Sequence, residues 1–417
     1  MDGDVPVLAA VDFELLEPAL ATDVEGALRS AITAGVVFRR GSSPLEVFRD
    51  LLGEAIRDIE HHPRGELLQR FLSRGPYWAP GPIPPADAER CLADGEVAAA
   101  IAFINAFMVN TFQGCLAEIL ALPSCLEVVR DAKSRGHVPL EGRIYAGESV
   151  HATAPSRRGR VKAADFHILG DRRTQAGNSA LSVLGVIEVK SYARSWSRLL
   201  TQLGTHLTAA RRGLHVQGVP YDGDRIEVAA TPLQIAVVPA GWHLPRTFRF
   251  VEENGRTLLR VDPGVPRTER ALIQRMTDHA WHVTLRWSQE TFAAAAYELT
   301  FWYMAKVGEV IYAGGVPPER RAVTASEAGQ NAAKMMLYYA ILRAETRREA
   351  QRAIALYNAY GFGYALGTSF VNRSGSREML WPEDLREILE RGETKHGCRI
   401  MCRARAVRPP RAGEVNR

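Results

Sequence analysis

Apolar residues recur at helical spacing from Pro44 to about Pro123, and a proline-rich stretch, Pro76 to Pro85 (PYWAPGPIPP), divides the run. Pro44-Leu-Glu-Val-Phe-Arg-Asp-Leu-Leu opens a helix with proline in its first turn, where the missing N–H costs nothing. Beyond the break, Val97 to Leu122 reads as one long buried helix that ends at Pro123. Asn105, Asn110, Gln113 and Glu118 place polar atoms on more than one of its faces, which argues against a bilayer span.

After Gly136 the period shortens to that of strands. Val138 to Ile144, Val161 to Leu169 and Leu181 to Val189 carry the pattern, and the polar, turn-rich Gly170 to Ser179 makes a hairpin of the last two. A helix, Trp196 to Arg212, precedes an apolar strand, Leu233 to Pro239. Phe248 to Val261 reads as a second hairpin turning at Asn254-Gly255, and Trp281 to Trp287 is strand-like, its tryptophans more suited to core packing than to stacking on bases. From Gln289 the chain is helical again, most clearly at Glu290 to Lys306 and Ser326 to Tyr357. The order predicts an α/β fold: a central mixed β-sheet flanked by helices, with additional helical N- and C-terminal regions. The expected division is a helical region over 1–95, a core over 96–265, a mainly helical region over 266–402 and a basic, disordered tail over 403–417.

Composition narrows the setting. With 417 residues, 46% hydrophobic and 24% charged, the chain can bury a sizeable core. The acidic N-terminus lacks the basic start of a signal peptide, and five scattered cysteines make no disulfide framework, so the expected compartment is the reducing cytoplasm. Cys91, Cys115 and Cys125 sit in apolar helical surroundings as core residues. His396, Cys398 and Cys402 fall one ligand short of a structural zinc site, and His61-His62 has no third partner. Neither a P-loop nor a dinucleotide-binding glycine motif is present. Charge is concentrated: His151 to His215 holds eleven Arg and Lys against three acids, a net +8 that leaves −3 for the remainder of this +5 chain. A basic stretch of that kind suits a polyanion.

Within it lies the candidate chemistry. Asp165 interrupts the strand-like Val161-Lys-Ala-Ala-Asp-Phe-His-Ile-Leu169, and Glu188 and Lys190 end the apolar strand Leu184-Gly-Val-Ile-Glu-Val-Lys190. Alternation sends Glu188 and Lys190 to one face, and pairing of the two strands brings Asp165 beside Glu188. Two adjacent carboxylates repel unless a cation sits between them, and a hard divalent ion, Mg²⁺ or Mn²⁺, suits their oxygens. An ordinary Glu188–Lys190 ion pair with an exposed Asp165 is the plainer alternative. Three ionisable groups placed compatibly in apolar strands, beside the basic excess, weigh against it.

These residues resemble the PD-(D/E)XK nuclease superfamily over roughly Gln113 to Pro239. Asp165 matches the motif acid and Glu188-Val189-Lys190 the acid-x-lysine triple; Glu118 stands where many members place a further metal-site acid. Gln202 matches the glutamine of the RecB-like nucleases. Ala164 replaces the motif proline, and His206 stands where those relatives carry tyrosine. The resemblance implies a restriction endonuclease-like core and metal-dependent hydrolysis of phosphodiester bonds, in DNA rather than RNA, with a homodimer as one way of cutting both strands. Asp165, Glu188 and Glu118 would ligand the metal, Lys190 and Gln202 would act on water or phosphate, and Arg157, Arg158, Arg160, Arg194 and Arg198 would grip the backbone. Two other readings stand beside it: a catalytically inactive nucleic-acid-binding or assembly protein on the same scaffold, and a helical interaction protein carrying the pattern by coincidence.

Overall fold

A computed structural model describes residues 8–73, 95–153, 164–173, 179–192, 196–240, 248–253, 256–261 and 280–312. The chain divides into two compact units, one made of Asp12–Ala55 and Gln113–Phe292, the other of Met1–Val11, Ile56–Phe112 and Ala293–Arg417. The first holds the sheet and the candidate chemistry.

Local sequence sets the helix starts. Helix α1, Pro18–Thr33, buries Leu20, Val24, Leu28 and Ala31 at helical spacing and is capped by the Glu17 carboxylate, which accepts from Leu20 N–H. Helix α2, Pro44–Glu60, begins with a reciprocal cap: the Ser43 hydroxyl accepts from Glu46 N–H while the Glu46 carboxylate accepts from Ser43 N–H. Hydrogen bonds from Ser42 and Ser43 hold the Glu46 carboxyl below its ordinary pKa. Helix α3 is Glu66–Ser73.

Helix α4, Gly95–Ser134, corrects the expected stop at Pro123: the helix runs on through the proline for three more turns. Pro123 removes one backbone bond, at a cost of about 3 kcal/mol. Leu116, Ile119, Leu122, Cys125, Val129 and Ala132 keep one apolar stripe buried past it, and that burial outweighs the lost bond. A π-helical turn at Ile104–Met108 adjusts the phase of the first half. By length and composition this helix could cross a bilayer, and 61% of its most apolar window is buried within the protein. The stop falls at Gly136, whose φ of 73° only glycine adopts freely, with His137 N–H closing back on Ala132.

The main sheet has five strands in the order β1-β3-β4-β7-β10: Arg143–Ala146, Phe166–Arg173, Ser179–Val189, Ile226–Ala240 and Ala280–Ser288. Pairing is antiparallel for β1–β3 and β3–β4 and parallel for β4–β7 and β7–β10. The architecture is therefore α/β with a mixed sheet. The strand expected over Val138 to Ile144 is displaced: Pro139 and Gly142 close a turn there, and β1 starts only at Arg143. Val161 lies outside the described residues, as do Asn254-Gly255, Ser326 to Tyr357, the 403–417 tail and the His396, Cys398 and Cys402 group. The hairpin around Asn254-Gly255 is present as β8, Phe248–Glu253, against β9, Arg256–Val261. A small sheet was not anticipated: β2, Val150–Ala152, pairs with β5, Gly213–Val216, which pairs with β6, Val219–Asp222. Strands of three or four residues leave too short a pattern to read.

The parallel β4–β7 connection is made through helix α5, Trp196–Ala210, as such crossovers require. Its Leu199, Leu203, Leu207 and Ala210 pack with Leu181, Val183, Val186, Ala236 and Val238 of the sheet. Val183 and Val186 differ by an odd step yet face the same helix. The register explains it: Leu169 pairs with Val183 but Ile168 with Gly185, so Leu184 is an extra residue and β4 carries a bulge. Strict alternation from Leu181 and Val183 would aim Glu188 away from α5. The bulge switches the face.

The second unit, by itself, is helical among its described residues and includes part of α6, Gln289–Tyr312. Within it Tyr303 donates to Glu60 at 3.0 Å and Tyr297 to Asn105 at 3.0 Å, and the His62 ring lies 4.1 Å from that of Phe107.

Candidate active site

Continuing the β3–β4 register by one step beyond Phe166–Ile187 sets Asp165 opposite Glu188. Asp165 precedes β3 and ties itself to the neighbouring strand: its Oδ2 accepts from Val189 N–H at 2.7 Å. Glu188, only 3% exposed, is contacted at both oxygens. Lys190 Nζ donates to Oε1, and His206 Nε2 from α5 stands 2.9 Å from Oε2. Glu188 and Lys190 thus project to one face, as the i, i+2 spacing requires. Burial alone would push the Glu188 carboxyl upward; the His206 contact and the Lys190 charge outweigh it and hold the group below its ordinary value.

The polar row extends below this pair. His167 pairs with Val186 and Val186 with Gln234, so His167 and Gln234 share the face of Glu188 two positions along each strand. Both are buried. Burial, followed by the charge of His206, drives the His167 imidazole down to about 3, against a smaller opposing pull from Glu188. Cys125 on α4 is fully buried, and burial with the Asp165 charge pushes its thiol pKa up, so it is an inert core residue rather than a nucleophile.

Gln113 fixes the end of β4. Its side-chain amide donates to the carbonyls of Ser191 at 3.1 Å and Gln289 at 3.4 Å, which pins the chain immediately after Lys190. Lys190 N–H continues the ladder to Val237 O at 2.8 Å. The ammonium therefore springs from a backbone held on two sides.

The remaining predicted residues are placed less centrally. Gln202 is half-buried on α5, one turn before His206 and on the same helix face. Glu118 is half-buried on α4. Among the described residues no three His, Cys, Asp or Glu side chains gather as a metal site, so Glu118 does not join Asp165 and Glu188 in one. Arg157, Arg158, Arg160 and Arg194 lie outside the described residues, and Arg198 is known only as a backbone position on α5.

No family model, curated protein or solved structure matches this chain.

His167 and His206 were not picked out as site residues. His167 stands two positions after Asp165, the spacing that puts both on one strand face, and that was the available signal. His206 was noticed only as a departure from tyrosine, since nothing in the sequence couples an α5 residue to a β4 carboxylate.

His167 makes acid sensitivity predictable. Folded, it stays neutral to about pH 3, whereas in the unfolded chain it takes up a proton near its ordinary value of 6.5. The unfolded state binds more protons between those values, so the contribution is intact above 6.5 and is lost as pH falls. Unfolding by urea should show about 2 kcal/mol less stability at pH 5 than at pH 7.5 from this group alone. His167→Asn should flatten the slope relative to the parent, and parallel pH curves would refute the assignment.

Proposed function

We propose that the chain is a metal-dependent phosphodiesterase, a nuclease acting on DNA, built on a restriction endonuclease-like sheet. One observation carries the reading: two buried carboxylates at the ends of paired strands, Asp165 and Glu188, with the Lys190 ammonium on the same face. The site also lies at the carboxyl end of β4, where it runs parallel to β7, the edge at which open α/β sheets bind ligands.

The donor set fits a hard divalent cation. Both acids offer oxygen, Glu188 Oε1 is held by the partly exposed Lys190 side chain, and Mg²⁺ is commonly held by one or two carboxylates with water and substrate phosphate completing its shell. Asp165 and Glu188 would hold the ion, which when bound would supply Lewis acidity and a water of lowered pKa. Asp165 contributes a carboxylate immobilised on Val189 N–H. Lys190 leaves Glu188 to position the attacking water and offset the negative charge that grows on the phosphoryl oxygens. Gln202 orients water or phosphate from α5, and the basic residues of the 151–215 stretch would carry the polyanion in register.

Purified protein incubated with linear and circular DNA is the test. Cleavage is expected with Mg²⁺ or Mn²⁺, and should disappear with EDTA and in Asp165→Asn. Cutting that survives both treatments would remove the mechanism. The engagement of both Glu188 oxygens by Lys190 and His206 favours a second reading, a nucleic-acid-binding or assembly protein without catalysis. DNA binding without cleavage under either metal would select it.

A further inference from the structure

We propose that His206 is a positioning residue for Glu188: it holds the Oε2 end of the carboxylate so that Glu188 keeps its orientation when Lys190 lets go of Oε1. The inference rests on the reading of Asp165, Glu188 and Lys190 as a hydrolytic metal site and adds the device that lets Lys190 serve two roles there.

The two partners of Glu188 differ in kind. Lys190 comes from the same strand, carries its charge on a flexible four-carbon stem, and its side chain is 26% exposed. It is free to move toward an incoming phosphate. His206 is 13% exposed and stands on α5 between Leu203 and Leu207, both locked into the core beneath the helix. Its ring has two torsions and no such reach.

Glu188 cannot spare both. A carboxylate buried to this depth with neither oxygen contacted is costly, so departure of Lys190 is tolerable only while another group holds the opposite end. A carboxylate only accepts, so a proton on His206 Nε2 makes the contact attractive. The contact is short but poorly aligned: neither Oε2 nor either ring nitrogen of His206 has a well-directed hydrogen bond. What His206 supplies is place: a polar group held 2.9 Å from Oε2. Groups that orient a metal-binding carboxylate in this way affect metal affinity even though they never touch the metal.

The test is Mn²⁺ binding without DNA, by calorimetry and by the electron paramagnetic resonance signal of free Mn²⁺, on the full chain. Parent protein is expected to bind, and Glu188→Gln to lose binding. His206→Ala should weaken affinity by roughly 10–100-fold. His206→Gln, whose amide N–H reaches toward Oε2, should recover most of that loss, while the shorter His206→Asn should not. On DNA, kcat should fall in His206→Ala and His206→Asn while KM changes little, because phosphate contacts lie elsewhere. Thermal unfolding identifies any variant that fails to fold, and the Gln/Asn pair then decides. If folded His206→Asn binds Mn²⁺ as the parent does, the positioning role is wrong and the metal-site reading survives. If the parent chain binds no Mn²⁺, both fall together.

Discussion

Lys190→Met is expected to lower metal-dependent DNA cleavage by roughly 10²–10³-fold, about 3–4 kcal/mol of transition-state stabilisation, with DNA affinity nearly unchanged. Methionine keeps an unbranched stem of similar length and removes only the ammonium. On the proposed mechanism the loss would belong in kcat, because the charge Lys190 would meet on the phosphoryl group exists only as the bond breaks. A stability change should accompany it. Glu188 is buried and would keep only His206 at Oε2, so unfolding midpoints should fall, though less than for a fully buried pair, since Lys190 is partly solvated. Single-turnover cleavage and urea unfolding on the same preparation separate the two effects. Cleavage within threefold of the parent would contradict Lys190 as the electrostatic partner of the reaction, a threefold change being about 0.65 kcal/mol.

Gly185→Ala should be among the most damaging single-methyl changes in the sheet. A Cβ built there would stand 2.5 Å from Leu233 O, 2.8 Å from Leu233 Cβ and 3.1 Å from Ile168 Cδ1. The first of these atoms is backbone of β7, so relief requires two central strands to part rather than a side chain to rotate. A cost of about 3 kcal/mol is expected, and more for Gly185→Val. Glu188 lies three residues on, so a displaced β4 should also reduce activity beyond what the loss of stability explains. Denaturant midpoints for the two variants give the answer; a shift below about 0.5 kcal/mol would mean that the strands separate easily.

Much of the sheet was legible. Ser179–Val189 and the centre of β7 carry dense β-branched and leucine runs, Phe166–Arg173 a shorter apolar one, and such runs survive as strands because their burial is two-sided. The same-face relation of Glu188 and Lys190 needed only alternation. What alternation could not give was which layer that face belongs to, because the irregularity at Leu184 intervenes; the lone Gly185 within an apolar strand was its only trace. Helix α4 was misread at Pro123 because a proline speaks locally whereas the buried stripe on both sides of it acts over the whole helix. His206 was illegible as a partner for a different reason. Its link to Glu188 spans a crossover, and no spacing rule reaches across one.

The additional residue in β4 makes the strand a splice between two opposite parities. Upstream of Leu184, odd-numbered side chains enter the layer beneath α5; downstream, even-numbered ones do. Shortening the strand by that one residue would restore a single parity and leave the acid and the ammonium in the same layer, because Val183 and Gly185 already pair with the consecutive residues Leu169 and Ile168. A residue removed between Gly185 and Glu188, with the bulge kept, would instead turn both groups to the opposite face.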